Sequence, residues 1–357
     1  MIDSGTFRPL VLDPRRESDL TKLDELKKSS TTTIVDDYKN QIDELDQITE
    51  LDDGKDLQGS LPQDAWVYYS WSGHLVHTVT NPHFDFVRDS RNKNLILADE
   101  QQSFSGKTIG VAGLNVGNPA AICMVLEGVL SGAKYADNDI LSLSNLNRFR
   151  ARVADLGLNK AVLSARQSFE INPFLSLEVF ETGIALGQER DFLTAPKLDV
   201  LIEEMDNLVL KVSIRQEAKL LGIPVVMVTG NGENVIVDVE RYDLDPDLKI
   251  LNGYLDQSII ETIQGPKLKS LSGRQKVLLA RDFMGERYLV ERLRLSFMEV
   301  GQSLAGIPQL AESSFLRGAA VCFVVRRILS NLDMPSGRYY LELDQLTSTR
   351  GRYDTTQ

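Results

Sequence analysis

Between Cys123 and Cys322 the chain contains no cysteine, and those two are all it has in 357 residues. The scarcity excludes a disulfide framework and leaves no paired CxxC motif, so buried thiols without structural zinc are expected, in a reducing compartment. Histidine is nearly as rare, with only His74, His77 and His83. Long apolar runs are missing too. The densest late stretch, AAVCFVV at 319–325, is closed by Arg317 on one side and by Arg326 and Arg327 on the other, far short of the roughly 20 residues of a membrane span. The opening MIDSGTFRPLVLDPRRESD has no basic segment followed by an apolar core, so no signal peptide is read and a cytoplasmic location is expected. Positive charge is in deficit, with a formal net charge of −12. That argues against nucleic-acid or anionic-membrane partners, which such a surface repels.

What is present changes character along the chain. Residues 1–80 read as a small α+β module, with helical patterns near 17–29 and 37–51, a turn-rich DDGKDLQGS, and a hairpin in WVYYSWSGHLVHTVT split at Ser72-Gly73. Residues 81–357 form the larger unit, which begins with a connection near 80–104. From Lys107 short apolar runs alternate with helical stretches: TIGVAG, KYAD, LEVFET, LDVLIEE and IPVVMVTG as strands, with helices between them. That rhythm predicts an α/β, Rossmann-like doubly wound sheet, mostly parallel, with helices on both faces. NVIVDVERYD adds an antiparallel strand, 274–297 and 311–332 read as helices, and GRYYLELD as a last strand. Asn118, followed by Pro119, fits the cap and first turn of the first helix in this unit.

In such a sheet ligands bind beyond the carboxyl ends of the strands, and the first strand-to-helix turn faces phosphate. Here that turn is Gly113-Leu114-Asn115-Val116-Gly117. Asp137 follows at the roughly 20-residue interval of a ribose-binding carboxylate. Both features suit a nicotinamide dinucleotide, but an oxidoreductase leaves the next residues without a role. SNLNR at 144–148 lies just beyond Asp137, and Lys160 opens a helix behind an Asn159 cap. Arg148 and Lys160 make a cation pair suited to a triphosphate and its departing pyrophosphate. The fourth strand ends in EEMDN, so Asp206 reaches the same edge. A carboxylate facing phosphates needs a divalent cation between them, which makes Asp206 the candidate Mg²⁺ ligand.

The run D-x-D-x-x-x-x-SNLNR from Asp137 and Asp139, then DLGLNKA, then MDN after an apolar strand, resembles the ThiF/MoeB family of the ubiquitin-activating superfamily. RDSRN at 88–92 and SSFLRGAAVCFVVRRILS at 313–330 are similar to further segments of that family, and the likeness spans about residues 85–340. The resemblance implies adenylation of a carboxylate with ATP and Mg²⁺, release of pyrophosphate, and a homodimer. It makes Asp137 the ribose ligand, Arg148 and Lys160 phosphate contacts, Asp206 the metal-side acid and Asn145 a pocket residue. Gly113, Asn115, Gly117 and Asp139 complete the nucleotide set, and Arg91 matches an arginine that the dimer partner supplies. The chain departs from the family in its reduced glycine loop and in Phe149, which stands where glutamine is usual.

Family members that pass the acyl group to sulfur carry a cysteine after the fifth strand, and this chain has none there. The resemblance therefore points to direct attack on the acyl adenylate. The overall layout is similar to the branch that modifies ribosomally made peptides, including the microcin C and pantocin A enzymes. Members of that branch place a peptide-holding module before the adenylating domain. By that likeness the substrate is a precursor peptide, activated on glutamate side chains and cyclised or dehydrated in antibiotic biosynthesis. A non-catalytic ThiF-like scaffold is the remaining alternative, disfavoured by the intact phosphate and metal positions. His74 and His77 sit three apart on a predicted strand and so face opposite sides. Trp66, Tyr68, Tyr69 and Trp71 suit the packing face of a hairpin better than a peptide groove.

Overall fold

Two sheets organise the chain, and the computed structural model describes residues 6–51, 57, 60–343 and 345–348. Most of DDGKDLQGS lies outside these residues. The first sheet is built from β1 (Leu10–Leu12), β2 (Thr33–Asp36), β3 (Asp64–Tyr69) and β4 (His74–Val79). Its order is β1-β3-β4-β2, with β3 and β4 antiparallel and β2 parallel to β4. The β3–β4 connection holds Ser72-Gly73 as expected, with Gly73 at positive φ. Trp66 packs beneath it with Leu12, Leu23, Leu26 and Leu75, while Tyr69 and Trp71 join the core of the second sheet. Trp71 Nε1 donates to Glu170 Oε1 at 2.6 Å and Tyr69 Oη to the Phe169 carbonyl at 3.1 Å. The aromatic residues are packing residues.

The second sheet comprises β5 (Thr108–Ala112), β6 (Gly132–Ala136), β7 (Ser176–Phe180), β8 (Val200–Glu203), β9 (Val225–Asn231), β10 (Asn234–Glu240) and β11 (Gly337–Leu341). Its order is β11-β10-β9-β8-β5-β6-β7, parallel from β9 to β7 and antiparallel at β10 and β11. The central parallel strands β5, β8 and β9 are short runs rich in Val, Ile and Leu, as strands covered on both faces require, while the edge strand β7 has exposed positions. The chain winds outward from β5 through β6 to β7, then returns to place β8 on the other side of β5. The crevice between β5 and β8 is therefore the topological switch point, where open α/β sheets bind ligands.

The described helices of eight or more residues are α1 (Glu17–Lys28), α2 (Tyr38–Leu51), α3 (Leu114–Leu126), α4 (Lys160–Ile171), α5 (Leu208–Leu221), α6 (Gln257–Gln264), α7 (Gly273–Met284), α8 (Glu291–Glu299) and α9 (Ala311–Leu329). Asn159 caps α4 through Oδ1, which accepts from the Ala161 and Val162 N–H groups at 2.9 and 3.1 Å. The stretch 274–297, expected as one helix, is two, because Gly285 at φ +86° ends the first in a left-handed turn. The expected cap at Asn118 is also corrected. Helix α3 starts five residues earlier, at Leu114 with Gly113 in the cap position, and Asp137 takes the Leu114 N–H at 2.6 Å. Asn118 is buried and donates to Ser164 Oγ and Gln167 Oε1 on α4, while Pro119 stands inside the helix.

Helix α9 crosses α3 at close range. A Cβ added to Gly318 would lie 2.7 Å from the Pro119 carbonyl oxygen, a backbone atom with no room to yield. Small-to-large changes in such contacts typically cost about 1–3 kcal/mol. Gly318→Ala is expected to lower stability by that amount in chemical denaturation, and an unchanged midpoint would show that the two helices part freely.

Candidate active site

The switch point opens into a cavity of about 450 Å³ bordered by Gly113, Asn115, Asp137, Asp139, Asp206 and Asn207. Five of the residues singled out in the sequence thus converge from three separate segments. Gly113 forms the floor at φ +90°, its N–H donating to the Ala136 carbonyl at 2.8 Å. A Cβ there would stand 2.4 Å from the Glu204 carbonyl oxygen. Glycine is needed on two counts, a backbone angle that side chains disfavour and the closeness of the neighbouring strand's end. Gly117 acts differently. It lets α3 lie against β5, since a Cβ would meet Val111 Cγ1 at 2.5 Å. The first N–H groups of α3 have no intrahelical acceptors, and such a helix start favours anions.

Asp137 is 8% exposed, with Oδ2 accepting from the Leu114 N–H at 2.6 Å and Oδ1 from the Asp139 N–H at 2.8 Å. Burial raises its pKa against those two hydrogen bonds and the nearby Lys160. Each oxygen keeps a second lone pair, so the carboxylate can still accept from a hydroxyl. Asn159 Nδ2 donates to the Asp137 and Glu181 carbonyls, tying the start of α4 to the ends of β6 and β7. This places Lys160, 4% exposed, with Nζ 2.8 Å from Asp139 Oδ2.

Arg148 is half-buried. Its Nη1 donates to the Ser144 carbonyl and Asn147 Oδ1, and its buried Nε has no partner. Burial lowers its pKa, opposed by the charge of Asp206. Asp206 itself is exposed, just before Asn207, whose Oδ1 caps α5. Asn115 Oδ1 is likewise buried without a partner beside the cavity. The orphaned acceptor at the helix start fits a ligand bearing hydroxyl or amino groups, whereas neither Arg148 nor Lys160 borders the cavity itself.

Other expected residues lie elsewhere. Asn145 does not border the cavity: its Oδ1 accepts from the Ser142 N–H at 3.1 Å and Ser142 Oγ at 3.0 Å, closing its own turn. Phe149 is core, packed with Leu141 and Leu163. Arg91 is exposed and lines a different cavity of about 820 Å³ beside Gly128 and Ser131, at the opposite ends of the strands. His77 is held between Asp36 and Asp64 at 2.8 and 2.9 Å and stacks on Trp66 and Tyr38.

The two cysteines, read as separate core thiols, are brought together. Cys123 of α3 and Cys322 of α9 lie with Glu127 so that their ligand atoms are within 4.8 Å of one another. That spacing could hold a metal ion, so the sequence argument against zinc covers only CxxC motifs. No described helix is long and apolar enough to cross a membrane. One residue on the site's border was missed. Glu204 is buried, with Oε1 accepting from the Val228 N–H at 2.6 Å and burial pushing its pKa up to about 8. Arg317 of α9, also missed, lies outside that border.

Residues 89–237 match the ThiF family. That segment contains the whole cavity border described above. An uncharacterized protein of Mycobacterium tuberculosis, MT1398, is 34% identical over 341 residues, 96% of this chain and 46% of its own length. A probable molybdopterin-synthase adenylyltransferase of Porphyra purpurea is 32% identical over 100 residues, 28% of this chain and 25% of that protein. The chain spans less than half the length of either relative. Among solved structures, PaaA superposes with a TM-score of 0.50 at 18% identity, covering 72% of this chain and 76% of that one, a likeness of fold.

The ThiF-like turn generates a prediction of its own. Gly157 also has positive φ, but nothing lies within 4 Å of a Cβ there. Gly157→Ala is expected to lose only the backbone strain of roughly 1–3 kcal/mol. Gly113→Ala should lose clearly more by urea denaturation, and equal losses would show that the Glu204 contact is soft.

Proposed function

We propose that the protein is an ATP-dependent adenylating enzyme. The reading rests above all on the convergence of Gly113, Asn115, Asp137, Asp139 and Asp206 on the switch-point cavity, with Lys160 behind Asp139 as its ion-pair partner, within a segment that matches the ThiF family. The orphaned Asn115 Oδ1 beside the cavity supports it. A substrate carboxylate oxygen attacks the α-phosphorus of ATP, the bond to the β,γ-diphosphate breaks, and an acyl adenylate and pyrophosphate form. Asp137 accepts from a ribose hydroxyl, Asn115 from the nucleoside, and the α3 N-terminus receives phosphate oxygens. Lys160 and Arg148 offset the charge that grows on the departing pyrophosphate. Asp206 would hold Mg²⁺, which when bound screens the phosphate oxygens. Asp139 aims Lys160 through their ion pair.

At the finer level the substrate is a ribosomally made precursor peptide, activated on glutamate side chains and attacked directly within the peptide. Two features support this reading: the resemblance to the peptide-modifying branch, and an N-terminal sheet with strands between Leu10 and Val79 in the place of that branch's peptide module. Cys123 and Cys322 lie on α3 and α9, away from the cavity border, which favours a route without an enzyme thioester. The site is completed in a homodimer by Arg91 of the second copy. In support, Arg91 lies at the opposite strand ends from its own phosphate turn, and an isologous dimer returns each reaching segment to its twin.

With ATP, Mg²⁺ and a glutamate-bearing peptide, the products should be AMP and pyrophosphate, and Asp206→Asn should slow their formation by about 10²–10³. ADP as sole product, or near-normal turnover of the variant, would overturn the assignment. The dimeric site has a separate test. Arg91→Ala and Asp206→Ala homodimers should each be nearly inactive, while refolding them together should restore roughly a quarter of wild-type activity through mixed dimers with one complete site. Demonstrated reassortment without recovery would return Arg91 to a role within its own chain or to none.

A further inference from the structure

Behind Asp206 lies a second, smaller cavity of about 140 Å³, which shares Glu204, Met205 and Asp206 with the first. Much of its wall is apolar, formed by Val116, Met227, Val228, Phe283, Met284 and Ile307. Arg317 also lines it and is 3% exposed. Its guanidinium has five N–H donors and remains charged at any accessible pH. Those donors meet only neutral acceptors at long range: Nε reaches the Ser313 carbonyl at 3.3 Å, and Nη2 reaches Gln309 Oε1 at 3.4 Å. Among the described residues no carboxylate lies within 4 Å of it. Glu204 acts on it from farther off, with one oxygen committed to the Val228 N–H.

The contrast with Arg215 is instructive. That guanidinium is equally buried and is met by two carboxylates, Glu203 and Glu240. Burying a charge is costly unless an anion and hydrogen bonds answer it. Arg317 has its fork unfilled by any carboxylate of the described residues, in a cavity whose mixed wall also carries Lys211, Thr229 and Gln309. Space beside it is maintained by Gly230, where a Cβ would come within 3.3 Å of Arg317 Nη1 and 3.1 Å of Ser313 Oγ.

We propose that this cavity is a carboxylate-binding subsite in which Arg317, with Ser313 beside it, grips a carboxylate-bearing side chain of the acyl substrate. The planar fork of arginine matches a carboxylate in bidentate fashion. The volume admits one short side chain and no nucleotide, and the apolar wall suits methylene groups. The subsite opens at Asp206, so a side chain held there is delivered to the edge where the nucleotide phosphates are proposed to lie. Naming the occupant as the acyl substrate rests on the adenylation reading. The anion site rests on Arg317 alone.

The test uses the full chain with ¹³C-labelled methionine methyl groups. Met227 and Met284 line the cavity, and their resonances are assigned with Met227→Leu and Met284→Leu. Glutarate, a mimic of a glutamate side chain, should move both methyl signals saturably, glutaramide should not, and Arg317→Gln should weaken glutarate at least tenfold. Equal effects of glutarate and glutaramide, no movement with either, or undiminished binding to folded Arg317→Gln would overturn the subsite. So would pyrophosphate moving the same signals at lower concentration than glutarate, since the cavity would then belong to a phosphate product. If Arg317→Gln does not fold, the glutarate and glutaramide comparison on the wild-type chain still decides. A wild-type protein that binds glutarate here but forms no AMP from ATP would refute the adenylation reading and leave the subsite standing.

Discussion

The end of β8 depends on a buried ionic knot. Arg215 of α5, fully buried, pairs with Glu203 of β8 and with Glu240 at the end of β10, and Lys211 adds a second cation to Glu203 at 3.1 Å. Burial alone would raise the Glu203 pKa, but Lys211 and Arg215 outweigh it and hold the carboxylate charged. Glu240 also accepts from Tyr242 Oη at 2.5 Å and from the Leu251 N–H at 2.6 Å. Removing one member of such a set strands charge in the interior, at a typical cost of 3–5 kcal/mol. The knot fixes helix, strand and following loop as one body. The residues immediately after Glu203 are those that shape the site.

From that anchor the chain's alternation acts as a switch of faces. Glu203 turns into the knot and Glu204 into the cavity behind Asp206. Asp206 and the Asn207 cap then follow without slack, because α5 begins at once. The opposite wall is fixed in the same manner. Asp137 answers the first N–H of α3, Asn159 bridges two strand ends, and Lys160 is delivered against Asp139. The site is rigid because each functional residue lies within a few positions of a cap or a buried pair.

Much of this was legible in the sequence. The central strands β5, β8 and β9 declared themselves because both their faces are covered, which makes them apolar runs, and Asn159 and Asn207 sit where caps belong. The α3 start was not legible: the acceptor for its first N–H, Asp137, comes from a different strand, and Asn118-Pro119 offered a better local match. The short strands β1 and β2 were missed, because three or four residues carry too little alternation to register. Asn145 and Phe149 belonged to the right segment, yet one closes its own turn and the other fills the core. Arg317 was visible only as the border of an apolar run. The available signal was an arginine in the first half of a helix, away from the Arg326-Arg327 pair in its last turn, with neighbours, Gly318 and Ala320, small enough for close packing. Tertiary proximity of the cysteines left no trace in a spacing of nearly the whole domain.

Gly318 has a kinetic meaning as well as a packing one. Through it α9, which carries Arg317, rests on the backbone of α3, whose first turn is proposed to face the phosphates. The gap between an acyl group on Arg317 and a nucleotide on α3 would then be a sum of atomic radii across a helix crossing, with no hinge to average over. Effective concentration in such an arrangement is set when the chain folds, before either reactant arrives. Evolution could exchange substrates by recutting the small cavity's wall while that spacing stayed constant.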